Sequence, residues 1–426
     1  MTRMYLDGSM IPGDASDVHT VSDLVARGDL TASEVVDTWL HKLRRADEMT
    51  NCVAARADES AGAHAAALDR SRRAGGTFGG LFGVPFTVKD WIDVAGLPCT
   101  GGFLECRDRV PAADATVVSR MRAAGAVVLA KTAVQVDSEL FGAVLNPHDP
   151  TRSPGGSSSG EAAAVGGGGS MVGLASDSGG SIRLPAAWCG AAALKPSAGR
   201  VPTTGHFPRV GDRSDGRTQI GPIGTRVRNL IEVLDVIAGP DDHDPGTAPV
   251  PLGAARRVDI ADLRLGWNVG ETAHLPSAAV RAAVERSVAQ LEGLGAGVVG
   301  EIPQHLDEAF DVTTRYWKRK ANGLAGAEVE RHLVDWDRYR KRMLRAHRDV
   351  DAVIMPITES IAPPRRPMTG ADYVFALPAS LTGAPAVVVP VAKDAGMPIA
   401  VQIVGRPWQD HTALHIAEIL ESALLR

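Results

Sequence analysis

The sequence of 426 residues has few aromatic side chains, few cysteines and no excess of basic residues. Its net charge of −5 argues against a nucleic-acid-binding protein, and an aromatic content of 4% leaves few side chains on which bases could stack. The four cysteines show neither CxxC spacing nor a histidine at zinc-site spacing. We therefore expect buried free thiols in a reducing compartment.

Long apolar runs are missing as well. No apolar stretch reaches the ~18 residues that a transmembrane helix needs, and residues 1–14 lack the apolar segment of a secretory signal. The glycine-rich region is not followed by the Lys-Ser or Lys-Thr pair of a phosphate-binding loop. We expect a cytoplasmic protein that uses no cofactor and no metal and that binds neither a membrane nor nucleic acid.

Glycine, in contrast, is abundant: 46 of the 426 residues are glycine, about 11% against an average near ~7%. The excess lies between Gly155 and Gly190 and includes the Gly-Gly-Ser units that end at Ser157 and Ser181. Glycine allows close approach of the backbone, so each unit presents a hydroxyl without shielding by neighbouring side chains. A flexible linker is the alternative, but linkers do not carry apolar residues directly after the glycines, as 182–189 does.

Apolar strands alternate with helices along the chain. We predict strands at 82–88, 127–130, 263–267, 298–302, 352–355, 386–391 and 399–404. A capping box at Thr31 begins one helix, Asp114 caps another that ends at Gly125, and further helices cover 277–294 and the residues after Asp410. This alternation predicts an α/β fold with a mostly parallel sheet that is covered on both faces.

The segment 239–257 is rich in Pro, Asp and Gly, and we interpret it as a loop. The alternation continues beyond it, so we expect one domain over residues 1–426. Its parts are an N-terminal helical segment at 1–75, a catalytic core at about 76–240 and a C-terminal part at 258–426.

Several blocks resemble the amidase signature family. They read GVPFTVKDWIDVAGLPCTGG (83–102), PGGSSSGEAAAV (154–165), GLASDSGGSIRLPAAWCG (173–190) and LKPSAGRVP (194–202), in the family's order. The resemblance extends over most of the chain. It implies a single α/β/α domain with a central mixed, largely parallel sheet, and a catalytic triad of two serines and a lysine without histidine.

Carried over by position, the triad falls on Lys89, Ser157 and Ser181. The resemblance makes Ser181 the nucleophile and Ser157, which follows a cis peptide bond in the family, the bridging serine 24 positions before it. A lysine can act as a base only when it is neutral, which requires burial. Lys89 ends an apolar run, as this role requires; an ion pair with Asp90 or Asp93 is the structural alternative.

The loop from Ser178 to Ser181 precedes a helix, and its backbone N–H groups are candidates for an oxyanion hole. We assign the site's oxyanion and substrate-binding groups to Asp177, Ser178, Gly179 and Gly180. The supporting residues are expected to be Ser158, Arg183 and Gln219. Arg183 braces the loop, with Asp177 as the expected partner, and Gln219 lies in a block that supports the site in the family.

Some of these residues allow other interpretations. The pattern G-x-S-x-G with Ser158 at its centre would be the nucleophile elbow of an α/β-hydrolase, but 147–154 reads as a loop where that motif needs a strand. Glu161 and Asp177 could be an acid pair, although we interpret them as loop and cap residues. For His206 a surface-loop position is favoured over the mouth of the pocket.

The resemblance indicates an amidase that cleaves a small or medium linear acyl amide through an acyl-enzyme on Ser181. One alternative is the transamidating subunit of a tRNA-dependent amidotransferase, which needs partner proteins. Another is a family member used for ester or urea cleavage or for acyl transfer. The segment 307–349, expected to form one or two helices, departs from the family pattern and leaves the substrate open. The oligomeric state is also open, with a homodimer as one option.

Overall fold

The computed structural model describes residues 16–208, 216–253, 258–318 and 326–425, and the backbone of two short strands before them. The helices are α1 (Val18–Arg27), α2 (Ala32–Thr50), α3 (Asp58–Arg73), α4 (Thr116–Ala123), α5 (Ser159–Gly166), α6 (Arg183–Cys189), α7 (Val227–Ile237), α8 (Ala278–Gly293), α9 (Leu306–Lys318), α10 (Ala327–Ala346), α11 (Leu377–Thr382) and α12 (Asp410–Leu424). Short 3₁₀ turns lie at Leu104–Cys106, Ile260–Asp262 and Gly370–Ala376.

The strands are β1 (Met4–Leu6), β2 (Ser9–Ile11), β3 (Val53–Arg56), β4 (Pro85–Lys89), β5 (Val127–Thr132), β6 (Asp137–Ser138), β7 (Gly142–Ala143), β8 (Val172–Asp177), β9 (Ala192–Lys195), β10 (Gln219–Gly224), β11 (Arg264–Trp267), β12 (Gly297–Glu301), β13 (Ala352–Pro356), β14 (Ala386–Asp394) and β15 (Met397–Gly405). Eleven of them form one sheet in the order β12-β11-β13-β15-β14-β9-β10-β8-β4-β5-β3. This sheet contains strands from both sides of the predicted loop at 239–257. Residues 254–257 of that loop lie outside the described residues.

The α/β fold with a mixed sheet is confirmed, but the sheet is less parallel than the alternation predicts. Parallel pairing joins β4 to β5 and β8, and β11 to β12 and β13. The six other neighbouring pairs are antiparallel, including β14–β15 and β8–β10. Buried apolar strands look alike in either direction, so the sequence pattern does not specify which neighbours run antiparallel.

Helices cover both faces of the sheet. Along β14, Val387 packs in the cluster that contains Leu414 of α12, whereas Val388 packs with Ala186 of α6. Successive side chains of a strand point to opposite faces, so α12 and α6 lie on opposite sides. Because helices cover both faces, the central strands are mostly apolar, and polar residues such as Lys89 and Asp177 stand at strand ends.

The N-terminal elements show one prediction confirmed and one wrong. The capping box at Thr31 is present: its side chain accepts from Glu34 N, and the Glu34 carboxylate accepts from Thr31 N at 2.8 Å. Asp114 does not cap α4, whose first turn has no side-chain cap. Its carboxylate instead accepts from Ala95 N at 2.8 Å and pairs with Arg122 at 3.2 Å, because these tertiary partners compete for the same oxygens.

Candidate active site

Lys89 lies at the carboxyl end of β4, in the interior of the sheet, and is fully buried. Its Nζ lies 2.8 Å from Ser157 Oγ, 3.2 Å from Ser176 Oγ and 3.3 Å from Ser176 O. Burial lowers the pKa of Lys89 from 10.5 to about 7, against the opposing effect of the carboxylates of Asp177 and Glu161. A substantial fraction of this amine is therefore neutral near pH 7.

The alternative that Lys89 pairs with Asp90 or Asp93 is wrong. Asp90 pairs with the buried Lys131 at 3.4 Å, and its second oxygen accepts from Thr100 Oγ1 at 2.7 Å. Asp93 is bound by Arg109 at 2.7 Å. Both carboxylates thus have other cations as partners, and the lysine amine faces hydroxyl groups.

The Gly-Gly-Ser units that end at Ser157 and Ser181 meet near Lys89. Ser157 follows a cis peptide bond from Gly156, and the Gly156 carbonyl accepts from Tyr373 Oη at 2.9 Å. Ser158 N donates to Ser181 O at 3.2 Å, which ties the two loops together. Gly180 has φ +125°, and a side chain there would clash with Ala376 and Tyr373, so glycine is required at this turn.

Asp177 organises the loop that carries Gly180 and Ser181. This fully buried carboxylate accepts from the N–H groups of Gly180 at 2.7 Å and Ile182 at 3.1 Å. The expected contact with Arg183 is present at 3.0 Å. Burial alone would raise the pKa of Asp177, but Arg183, Lys195 and the Gly180 N–H together outweigh it, and the pKa lies below its usual value.

These contacts change two of the assignments made from sequence. Asp177 is occupied by the loop it supports, so it acts as a scaffold rather than as a substrate-binding group. The N–H of Gly180 points to Asp177 and not to a reacting oxygen. Of the predicted oxyanion loop, Ser178 and Gly179 keep candidate N–H donors, together with Ser181 itself.

The supporting residues lie around this framework. Gln219 begins β10 opposite Asp177 and accepts from Gly199 N at 3.1 Å, so it holds the neighbouring loop. Ser158 is fully buried at the start of α5, and its hydroxyl lies 3.4 Å from Ser176 O. The residues before Ser158 form no strand, which removes the context that a nucleophile elbow needs.

The prediction that Glu161 is a loop residue is wrong. It lies within α5, fully buried, where its carboxylate accepts from Thr87 Oγ1 and from Thr132 Oγ1. Burial raises the pKa of Glu161 to about 7, although both threonine hydroxyls oppose the shift. The cap prediction for Asp177 agrees with its bonds to the N–H groups of Ile182 and Arg183 at the start of α6.

Aromatic side chains from the C-terminal half reach the glycine loop. Trp317, at the end of α9, lies against Gly179, and Tyr373 lies against Gly180. The two rings meet edge to face, with centroids 6.1 Å apart. The described residues of the segment 307–349 form helices α9 and α10, as expected. Trp317 belongs to α9.

Two further residues at the site, Ser176 and Tyr373, were not identified from the sequence, and His206 was predicted at another position. Ser176 contacts Lys89 directly, and its place next to Asp177 in the second block was the available signal. His206 is only 6% exposed and its Nε2 lies 2.9 Å from Ser176 Oγ, so the surface-loop prediction is wrong. Tyr373 lies more than 200 positions after Gly156, whose carbonyl it contacts, and no local sequence pattern identifies it.

Among the described residues, no group of three or more His, Cys, Asp or Glu side chains is arranged to hold a metal ion. The four thiols are free, three of them buried and Cys106 partly exposed. In the same part of the chain, no helix has both the length and the apolar character of a membrane span.

In this site a buried lysine is hydrogen-bonded to one serine, and a second serine lies nearby on a glycine-rich loop at the end of a strand. Serine hydrolases that use an amine as the base have this type of arrangement. A family model described as Amidase matches residues 34–331 and 318–414. The chain belongs to this family, as the sequence blocks indicate.

Relatives of the chain carry several names. A glutamyl-tRNA(Gln) amidotransferase subunit of Symbiobacterium thermophilum is 32% identical, over 92% of this chain and 94% of that protein. The AtzE subunit of 1-carboxybiuret hydrolase, from Pseudomonas sp. strain ADP, is 31% identical, over 93% and 96%. The structure of 6-aminohexanoate cyclic dimer hydrolase superimposes with a TM-score of 0.84 at 25% identity, over 97% of this chain and 98% of that one.

Proposed function

We propose that the protein hydrolyses the carbon–nitrogen bond of a linear amide with a small or medium acyl group, through an acyl-enzyme on Ser181. The observation that carries this proposal is the buried Lys89 amine, 2.8 Å from Ser157 Oγ. Its pKa near 7 gives a base that accepts a proton at neutral pH.

In the acylation step, Ser181 Oγ attacks the carbonyl carbon of the amide. Ser157 takes the proton of Ser181 and passes its own proton to Lys89, which becomes an ammonium. The carbonyl oxygen becomes an oxyanion, for which the N–H groups of Gly179 and Ser181 are the proposed donors. The Lys89 proton then returns through Ser157 to the nitrogen of the leaving amine, and the C–N bond breaks.

Deacylation repeats the relay with water in place of Ser181. Water gives a proton through Ser157 to Lys89 and adds to the acyl carbon; collapse of the intermediate releases the acid and returns the proton to Ser181 Oγ. Each proton removed in this scheme is returned, so the triad is regenerated with water as the only co-substrate.

The surroundings of the loop support an apolar acyl group. Trp317 and Tyr373 cover the outer side of Gly179 and Gly180, next to the carbon that Ser181 would attack. A screen of the purified chain against linear amides with acyl groups of graded size, and against matched ureas and esters, tests the proposal. We expect the wild-type chain to hydrolyse at least one amide, and we expect the Ser181→Ala variant not to hydrolyse it. Ester or urea turnover without any amide turnover would favour the alternative of a family member used for ester or urea cleavage.

A second function has its own support. Seven of the relatives are glutamyl-tRNA(Gln) amidotransferase subunits, and the carboxybiuret hydrolase relative is also named as one part of a larger enzyme. If this chain has the same role, it acts only with partner proteins. The lone chain on simple amides is therefore compared with the chain given glutamyl-tRNA, ATP and candidate partners. Amidation in the complete mixture, with no amide cleaved by the chain alone, would establish this second function.

A further inference from the structure

His206 is held next to the lysine by the loop that follows β9. Phe207 N donates to Trp91 O at 2.7 Å, and Asp93 N donates to Gly205 O at 2.9 Å, so the loop is fixed on the residues just after β4. Gly205 has φ +84°, and a side chain there would collide with Ala115, which shows how tightly the loop is packed. The imidazole therefore has little freedom to move relative to Lys89.

A continuous chain of polar contacts runs from this histidine to the bridging serine. His206 Nδ1 lies 2.8 Å from Pro208 O, and His206 Nε2 lies 2.9 Å from Ser176 Oγ. Ser176 Oγ in turn lies 3.2 Å from Lys89 Nζ, and Lys89 Nζ lies 2.8 Å from Ser157 Oγ. The histidine, the lysine and both serines are each nine-tenths or more buried, so bulk water does not compete for the bonds among them.

The chemistry of each group determines which atom donates and which accepts in this series of hydrogen bonds. The Pro208 carbonyl can only accept, so the neutral imidazole carries its proton on Nδ1 and donates there. Nε2 of His206 must then accept, and the Ser176 hydroxyl donates its proton to it. The Ser176 oxygen is left with lone pairs toward Lys89, which makes it an acceptor for the amine.

A neutral lysine amine has two N–H bonds and one lone pair. Ser176 offers Lys89 two acceptors, the ordered hydroxyl oxygen at 3.2 Å and the backbone carbonyl at 3.3 Å. When both N–H bonds are engaged there, the lone pair is left for the remaining hydroxyl neighbour, Ser157 Oγ, 2.8 Å away. This is the orientation in which Lys89 can receive the Ser157 proton.

We propose that His206 is a positioning residue for the Lys89 base: through Ser176 it fixes the amine so that its lone pair faces Ser157. The inference rests on the proposed relay among Lys89, Ser157 and Ser181. It assigns to the histidine no contact with the substrate. Without His206, the Ser176 hydroxyl is free to turn its proton toward Lys89 and to occupy the lone pair.

The test uses a fluorophosphonate–rhodamine probe on the full chain, because phosphonylation of Ser181 needs the activated hydroxyl but no knowledge of the substrate. Ser181 Oγ bonds to phosphorus, fluoride leaves, and the proton goes to the relay. The maximal labelling rate and the probe concentration at half of that rate are measured separately. Misdirection of a catalytic group costs about 10- to 100-fold in rate, so His206→Phe should lower the maximal rate by this factor at unchanged half-saturation.

Two further variants separate positioning from a structural effect. Ser176→Ala should show the same loss, and the double variant His206→Phe/Ser176→Ala should label no more slowly than Ser176→Ala, because the histidine acts only through that hydroxyl. His206→Gln, whose amide oxygen can accept from Ser176, should recover part of the rate. His148→Gln is the matched control, since His148 contacts the Cys189 carbonyl away from the relay and should label at the wild-type rate.

The outcomes are distinct. If His206→Phe keeps the wild-type maximal rate, or if the losses of His206→Phe and Ser176→Ala multiply in the double variant, the positioning role is refuted. If the wild-type protein is not labelled on Ser181 at all, the proposed function fails and the inference falls with it.

Discussion

Replacement of Lys89 gives the sharpest test of the proposed base. At a pKa near 7, about nine-tenths of the amine is neutral at pH 8, whereas at the ordinary value of 10.5 only about 0.3% would be. Burial therefore raises the concentration of the reactive form about 300-fold, at a cost to the charged form of about 5 kcal/mol. This is the contribution that the fold makes before any substrate binds.

The assay is the pH dependence of fluorophosphonate labelling and of kcat/KM on a cleaved amide. Because the neutral form of Lys89 is active, the rate should rise about tenfold per pH unit below pH 7 and level off above pH 8. Lys89→Ala should lose about 10³-fold or more and should show no such rise. Lys89→Arg should be no better, since a guanidinium stays charged and cannot accept the proton.

Lys195 provides a matched control within the same chain. It is also buried, burial also lowers its pKa to about 7, and its Nζ donates to Pro196 O at 2.8 Å. Lys195→Met should therefore leave the pH midpoint of the reaction in place, whatever it does to stability. Near-normal activity of Lys89→Arg, or a midpoint that disappears with Lys195→Met, would refute the reasoning.

Three further predictions concern the nucleophile, a buried acid and the absence of a cofactor. Ser181→Ala should abolish labelling, and Ser158→Ala should keep it; a probe mapped to Ser158 would contradict the assignment. Glu161 has a folded pKa raised from 4.5 to about 7, so the folded protein loses stability as pH rises between these values. Glu161→Gln should remove roughly 2.5 kcal/mol of this loss between pH 5 and pH 8, as measured by urea unfolding at the two pH values; equal pH dependence in both proteins would exclude the effect. Hydrolysis of the amide should continue unchanged after EDTA treatment, and activity restored only by an added metal would contradict this expectation.

Much of the site could be predicted because its chemistry is local in sequence. Ser157, Ser181 and Lys89 each stand in a short block that resembles the family, so the resemblance places them within a few residues. The contact between Arg183 and Asp177 follows from their separation of six positions around one loop. Such features need no knowledge of the remainder of the fold.

The predictions from the sequence were wrong where residues outside the local segment determine the contacts of a side chain. Asp114 has the sequence position of a helix cap, but Ala95 N and Arg122 take its carboxylate. His206 lies in a loop with many glycines and prolines, yet its ring is buried by contacts with Ser176 and Trp91. Strand direction in the middle of the sheet was also missed, because strands buried on both faces carry no alternation that would mark it.

The parallel pairing of β4 with β8 has a consequence for how the active protein arises. Val88 pairs with Leu174, so the strands that carry Lys89 and Ser176 are separated by more than 80 positions that include β5, α4 and α5. Contacts between such distant segments form slowly, because the chain entropy of a large loop is lost before they are made. A chain that has formed only its local helices has no relay. Labelling of Ser181 during refolding would therefore report the fraction of molecules in which β4 and β8 have paired, which would make the proposed nucleophile a reporter of this late step.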